Sequence, residues 1–327
     1  MKFNYLKTLS VQAAEQLRFI SSEGTHAMRQ SRCAMYLRYA IDKDTWWMSL
    51  NKANFCKQRT CPVCCWLKSA KWRIRIFQGL PRLLVDYPGF PFLFLTLTVR
   101  NCHLSELRSC VRSMQESWHR LAVLPYFPAI GYLKSLEISR PRDCFYSGHY
   151  LGRFGNKLIN FWQKELKKRG IWEPRLWSQY LCEDVHPHIH VLMMVRPDYW
   201  SQENYISHPE WVSLWKRSAN LDYQPVVDIR KVQELNSGIL EVSKYCLKTS
   251  DMVDRLGCLI NRQLHGMKLL HSCGAFGDYF SQKVLDKVDQ TLVLGNEHTQ
   301  GGVPCMYEWN GEQYCLTQLG NLRWQLD

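Results

Sequence analysis

A chain of 327 residues, 46% of them hydrophobic, is long and apolar enough for one large domain or two smaller ones, and its lack of low-complexity tracts excludes an intrinsically disordered protein. The longest apolar run, "FPFLFLTLTV", is about half of what a membrane helix needs, and "MKFNYLKTLSVQAAEQLRF" has no signal-peptide core, so a soluble cytoplasmic protein is expected. A net charge of +13 with a pI of about 9.1 points to an anionic partner, of which nucleic acid is the commonest.

Fourteen cysteines without a secretion signal are expected to be reduced, so a cluster of them points to a metal before a disulfide. "FCKQRTCPVCCW" sets Cys56, Cys61, Cys64 and Cys65 close together. Cys61-Pro-Val-Cys64 has the spacing of a zinc knuckle, whose tight turn lets two thiolates bind one tetrahedral ion at about 2.3 Å. Two further ligands are required. Cys56 is a near candidate and Cys33, in "SRCAMYLRY", the best distant one, whereas Cys65 should point away from its neighbour Cys64. A redox pair and plain packing are the other readings of this spacing. The nine remaining cysteines are read as small buried hydrophobes. "WLKSAKWRIRIFQGL" then predicts a basic helix, lying along a phosphate backbone or simply solvated. Interleaved rings and cations, here and in "LWKRS", suit stacked bases and phosphates, the alternative being a Trp-rich core under a basic surface.

Three strands follow. "FPFLFLTLTVRN" alternates, with Leu93, Leu95, Leu97 and Val99 on one face and Thr96 and Thr98 on the other. "GYLKSLEIS" carries Glu137 in its middle, where a carboxylate needs a partner: a divalent metal, a salt bridge or solvent. "VHPHIHVLMMV" puts His186, His188 and His190 on one face of a strand whose remainder is apolar on both faces, as in a central strand covered by helices. Pro187 suits a strand's beginning, which makes His188 and His190 the firmer pair. A lone histidine is more often a satisfied core residue than a ligand.

"GILEVSKYCLKTSD" predicts a helix with Glu241, Tyr245 and Lys248 spaced i, i+4, i+7, within roughly 60° on one face. A tyrosine attacks a phosphate usefully when a metal polarises the target and a cation meets the developing charge. Alone, such a stripe is surface decoration. "MYEWNGEQYCL" predicts a β-hairpin with a type I′ turn at Asn310-Gly311.

The ordered set "FLTLTVRN", "GYLKSLEIS", "HPHIHVLMMV" and "EVSKYCLK" resembles the rolling-circle plasmid replication initiators of the HUH endonuclease superfamily. With "CPVCCWLKSAKW" and "LHGMKLLHSCGAFGDYF" the resemblance covers roughly residues 55–280. It implies that His188 and His190 bind a catalytic Mg²⁺ or Mn²⁺. It implies further that Tyr245 is the nucleophile that stays on the 5′ end and frees a 3′-OH primer, with Lys248 beside it. Glu241 would activate water at termination. The third metal ligand varies in that superfamily; Glu137 is preferred, then His186 and Asp184. Position 241 is Glu and 249 is Thr, so this is a single-tyrosine version in which one subunit cannot make a second covalent transfer.

The expected fold is α+β: a central antiparallel sheet of HUH type flanked by helices, the Tyr245 helix across its open face, and an N-terminal zinc-knuckle segment. Three segments are expected: 1–80, holding zinc on Cys33, Cys56, Cys61 and Cys64 and binding DNA; 81–285, the nuclease; and 286–327, a β-hairpin extension. The expected partner is plasmid origin DNA, single-stranded or hairpin at the nick. No GxxxxGK[ST] is present, so a host helicase is expected to act with a polymerase; a homodimer is one expected assembly, and no membrane is involved. A relaxase or a transposase shares this chemistry, and a zinc-dependent DNA-binding regulator without catalysis is the rival from another class.

Overall fold

The computed structural model describes residues 2–20, 24–44, 46, 48–140, 184–244, 247, 249–280 and 302–323. Helices α1 (Lys2–Arg18) and α2 (Gly24–Ser31) precede a hairpin, β1 (Tyr36–Ile41) and β2 (Met48–Ala53), and the long helix α3 (Pro62–Asp86). Then come β3 (Phe92–Thr98), β4 (Cys102–His103), α4 (Leu107–Ala122), β5 (Ala129–Ser139) and β6 (Asp184–Val195). The rest comprises α5 (His208–Ser218), β7 (Val227–Lys231), α6 (Leu235–Val242), α7 (Arg255–Gln263), β8 (Leu270–Gly274), α8 (Ala275–Tyr279), and β9 (Val303–Trp309), β10 (Tyr314–Leu319) and β11 (Leu322–Arg323). The basic insertion at 141–180 lies outside the described residues. Among the described residues, no helix is long and apolar enough to cross a membrane.

The expected α+β class with antiparallel sheets is what forms. The larger sheet runs β7-β3-β6-β5-β8, with β4 added beside the start of β6, so the histidine strand is central. Alternation builds a core on each side. Leu93, Leu95, Leu97, Leu136, Ile138, Ile189, Val191 and Met193 face α4 and α5, packing with Trp118, Trp211 and Trp215. The tryptophan of "LWKRS" is therefore core, as the Trp-rich alternative has it. On the opposite face, Phe92, Phe94, Leu133, Leu192 and Met194 pack under α3, α6 and α8 through Ile76, Leu83, Ile239, Val242 and Phe276. Further along this second face the apolar residues give way to Thr96, Ser135, Glu137, His188 and His190.

Three expectations on local structure are corrected. Strand β6 starts at Asp184, so Pro187 is internal. On one side β6 pairs with β4 through Val185 and with β3 from His188 onward, so Pro187, which has no N–H, sits in the gap between those partners. The C-terminal hairpin forms, but a four-residue loop closes it: Trp309 pairs with Tyr314, and Asn310 Oδ1 accepts from the N–H groups of Glu312 and Gln313. That side-chain bonding organises a longer loop than a type I′ turn, with only Gly311 at positive φ (114°). The basic helix α3 is no simple phosphate-facing surface. Arg75 is buried against Trp72, at 4.1 Å, and donates to Phe280 O at 3.2 Å.

The second sheet runs β11-β10-β9-β1-β2. Strand β1 pairs with β2 on one side and β9 on the other, so the N-terminal hairpin and the C-terminal strands form one layer over the cysteine cluster. Of the scattered cysteines, Cys258 and Cys305 are buried as expected, but Cys273 is exposed on the edge strand β8.

Candidate functional site

Antiparallel register brings together what the sequence separates. Glu137 is the direct cross-strand partner of His188, and Ser135 of His190. On the other side of β6, Thr96 faces His190 and Thr98 faces His188. Glu137 Oε2 lies 3.2 Å from His190 Nε2 and 3.7 Å from His188 Nε2, with all three side chains largely withdrawn from solvent. One ligand atom from each falls within 4.8 Å of the others. The other two candidates for third ligand do not join this group. His186 stacks on the His188 ring but directs Nδ1 to Asn101 Oδ1 at 2.9 Å, and Asp184 is buried at the start of β6 opposite His103.

Burial alone would raise the Glu137 carboxyl, but hydrogen bonds from His188 and His190, and their charge, hold it well below the usual carboxylate range. His190 Nδ1 lies 3.0 Å from Thr96 Oγ1. With a cation bound between them, a ring that donates Nδ1–H to that hydroxyl would turn an Nε2 lone pair to the ion in place of the proton it gives Glu137. Two imidazoles and a carboxylate make a mixed N/O donor set suited to a divalent cation.

The predicted helix over Glu241, Tyr245 and Lys248 is shorter than expected. Helix α6 closes at Val242, where the Ser243 N–H returns to Ile239 O, and the next helical turn among the described residues is the 3₁₀ turn Thr249–Met252. β-Branched Val242 followed by Ser243 is a weak helical continuation. Helix α6 does cover the triad's sheet face: Ile239 and Val242 pack with Leu192 and Met194, and Gly238 faces Leu192 so closely that a Cβ would stand 3.3 Å from its Cδ1. Glu241 is half-buried in the last turn and paired with Lys244. Tyr245 and Lys248 lie outside the described residues. Of their neighbours, Val242 belongs to the second core and Leu247 to the first.

The cysteine cluster assembles from three elements. Cys33 follows α2, Cys56 follows β2, and Cys61 caps the N-terminus of α3 with Cys64 in its first turn. Cys64 Sγ is 3.6 Å from both Cys33 Sγ and Cys56 Sγ, and the four sulfurs lie within 4.8 Å of one another. The Cys56 N–H donates to Cys33 Sγ at 3.3 Å and the Lys57 N–H to Cys64 Sγ at 3.2 Å, contacts that favour thiolates. Cys65 turns away, as expected, to Arg59 O at 2.9 Å. Four converging thiols and no carboxylate fit a tetrahedral soft-ligand ion.

Residues that sequence reasoning missed surround both groups. Alternation sets Thr96 on the face opposite the leucines, and only the pairing of β3 with β6 brings it to His190. Ser10 Oγ touches Cys61 Sγ at 3.2 Å, and buried Gln30 donates to Ser10 O and Thr60 O. Lys7 is fully buried against Cys33. Arg59 joins the knuckle to the end of α7 by donating to Leu264 O, at 2.9 Å, and to Met267 O. Nothing in the local sequence marks these roles.

A family model described as "Replication protein" matches residues 47–315. The chain belongs to this replication-protein family. The family match agrees with the resemblance to rolling-circle plasmid initiators carried by the four motifs. The Protein rep of Streptococcus pneumoniae serotype 2 (strain D39 / NCTC 7466) is 32% identical over 250 residues, covering 74% of this chain and 66% of the relative. That of Bacillus amyloliquefaciens is 31% identical over 251 residues, covering 70% and 62%. That of Lentilactobacillus hilgardii is 28% identical over 305 residues, covering 88% and 84%. The chain thus spans just under two thirds of the first two relatives. No solved structure matches this replication protein.

Proposed function

We propose that this replication protein nicks one strand of plasmid origin DNA as an HUH-type endonuclease and holds the cut 5′ end on Tyr245. The observation that carries the reading is the convergence of Glu137, His188 and His190 on the sheet face covered by α6, the helix that leads to Tyr245. In the reaction the Tyr245 oxygen bonds to the scissile phosphorus and the bond from phosphorus to the 3′ oxygen breaks. The tyrosine gives up one proton and the departing 3′ oxygen takes one, which leaves a 3′-OH primer and a 5′-phosphotyrosine.

Glu137, His188 and His190 would hold the Mg²⁺ or Mn²⁺, and Thr96 would keep His190 turned correctly. When bound, the cation supplies Lewis-acid polarisation of the phosphoryl oxygen. Lys248 meets the developing charge, and Glu241 activates the water that ends the cycle. Cys33, Cys56, Cys61 and Cys64 hold a structural Zn²⁺. Segments 1–80 and 286–327, joined through β1 and β9, would serve segment 81–285 as a DNA-contacting unit. Helicase and polymerase extend the primer, and a second protomer is one route to the final strand transfer.

The test is a nicking reaction on single-stranded origin DNA with Mn²⁺. The wild type is expected to form a covalent 5′ adduct and Tyr245→Phe none; an adduct that survives in Tyr245→Phe overturns the nucleophile assignment.

A further inference from the structure

Lys7 is a buried cation for which the reading above has no use. Its side chain is fully enclosed, and its Nζ donates to Ser31 O at 2.6 Å and to Cys33 O at 2.7 Å. Among the described residues no carboxylate lies within ion-pair distance of it. Two carbonyl hydrogen bonds do not replace the hydration an ammonium loses on burial, so Lys7 keeps its charge only with a countercharge nearby. The groups beside it are thiols: Cys33 through its own carbonyl, and Cys61 through Ser10, one turn further along α1. Four neutral thiols offer no countercharge. Four thiolates around one divalent ion carry a net charge of minus two, which a single enclosed ammonium halves.

We propose that Lys7 is the internal counter-cation of a tetrathiolate metal site on Cys33, Cys56, Cys61 and Cys64, so that metal loading strengthens the docking of α1. The inference rests on the zinc reading above and adds the residue that makes a doubly negative centre tolerable in a buried place. It also gives α1 a task. Beyond Lys7 and Ser10, the same helix packs Ala13 and Leu17 against Cys258 of α7. A loaded metal site therefore clamps α1 across both the knuckle and a helix that flanks the larger sheet.

Zinc affinity of the full chain by chelator competition, with thermal unfolding of the loaded and stripped forms, tests the assignment. Lys7→Met is expected to weaken zinc binding about ten-fold, the scale on which groups behind metal ligands act. The stripped form of that variant should be as stable as the wild type or more so, because an unpaired buried ammonium has gone. A merely structural lysine would destabilise both forms alike, and that result overturns the proposal. Lys7→Gln keeps two N–H donors for the two carbonyls without the charge, and should lose affinity as Lys7→Met does. Wild-type zinc affinity in either variant overturns the counter-cation role while leaving the zinc reading intact. A wild-type chain that binds no zinc overturns the zinc reading itself.

Discussion

Glu137 of β5 stands directly opposite His188 of β6, and the same carboxylate oxygen also reaches His190, the next residue on that face. One acid thus serves two imidazoles because neighbouring strands bring cross-strand and diagonal positions within side-chain reach. Glu137→Gln keeps the shape and removes the charge. Its Mn²⁺ affinity, by calorimetry, is expected to fall at least about ten-fold. Metal-free, the variant should also lose about 1.5–3 kcal/mol of stability, the worth of hydrogen bonds to a charged group. Wild-type Mn²⁺ binding in this variant would remove Glu137 from the ligand set.

Thr96 acts on the same centre through His190 Nδ1. Thr96→Val leaves volume and strand propensity nearly unchanged but deletes the hydroxyl, freeing the ring to rotate or change tautomer. Mn²⁺ affinity should drop about ten-fold, with nicking restored at saturating metal, and Thr96→Ser should behave as the wild type. A nicking rate that stays low at saturating Mn²⁺ would mean that Thr96 does more than orient the ring.

Adjacent cysteines should part company. Cys64 Sγ lies among the sulfurs, whereas Cys65 Sγ meets a carbonyl oxygen. Cys64→Ser is expected to abolish stoichiometric zinc and to lower the melting temperature, while Cys65→Ser retains the ion. Metal analysis of the purified variants decides the matter, and loss of zinc in both would point to a general packing role for the pair.

On the other face of the sheet His271 pairs with Lys134 across β8 and β5. Burial first, then the charges of Lys134 and Lys268, push its imidazole down to about 4 from 6.5. Between those values the unfolded chain binds the proton that the folded chain refuses, so this contribution is whole above about pH 6.5 and is lost as the pH falls towards 4. His271→Gln should therefore show a shallower decline in urea midpoint between about pH 7 and about pH 5 than the wild type. Parallel declines would place the acid sensitivity elsewhere.

Much of the site was legible in the sequence because it is written at short range. The period of two in "HPHIHVLMMV" put His188 and His190 on one face and an apolar run behind them, and the strand formed accordingly. The Cys-Pro-Val-Cys spacing likewise announced a knuckle, and Cys65 turned away as its adjacency required. The stripe of Glu241, Tyr245 and Lys248 predicts a continuous helix, yet α6 ends at Val242, where Ser243 closes the last turn. At Asn310 the dipeptide suggested one turn, and the asparagine side chain built another.

What the sequence by itself determined was the local chemistry: which residues alternate, which thiols sit a turn apart, and the family to which the motifs belong. Only the tertiary structure decided which distant groups complete each centre. Glu137 lies far from His188 along the chain, and joins it because β5 and β6 each bury an apolar face against α4 and α5. A slip of one residue would send Glu137 into that core. Lys7, Cys33 and the strands from both ends of the chain meet at the knuckle for the same reason: burial of scattered apolar surface sets register and docking, and no local pattern records it.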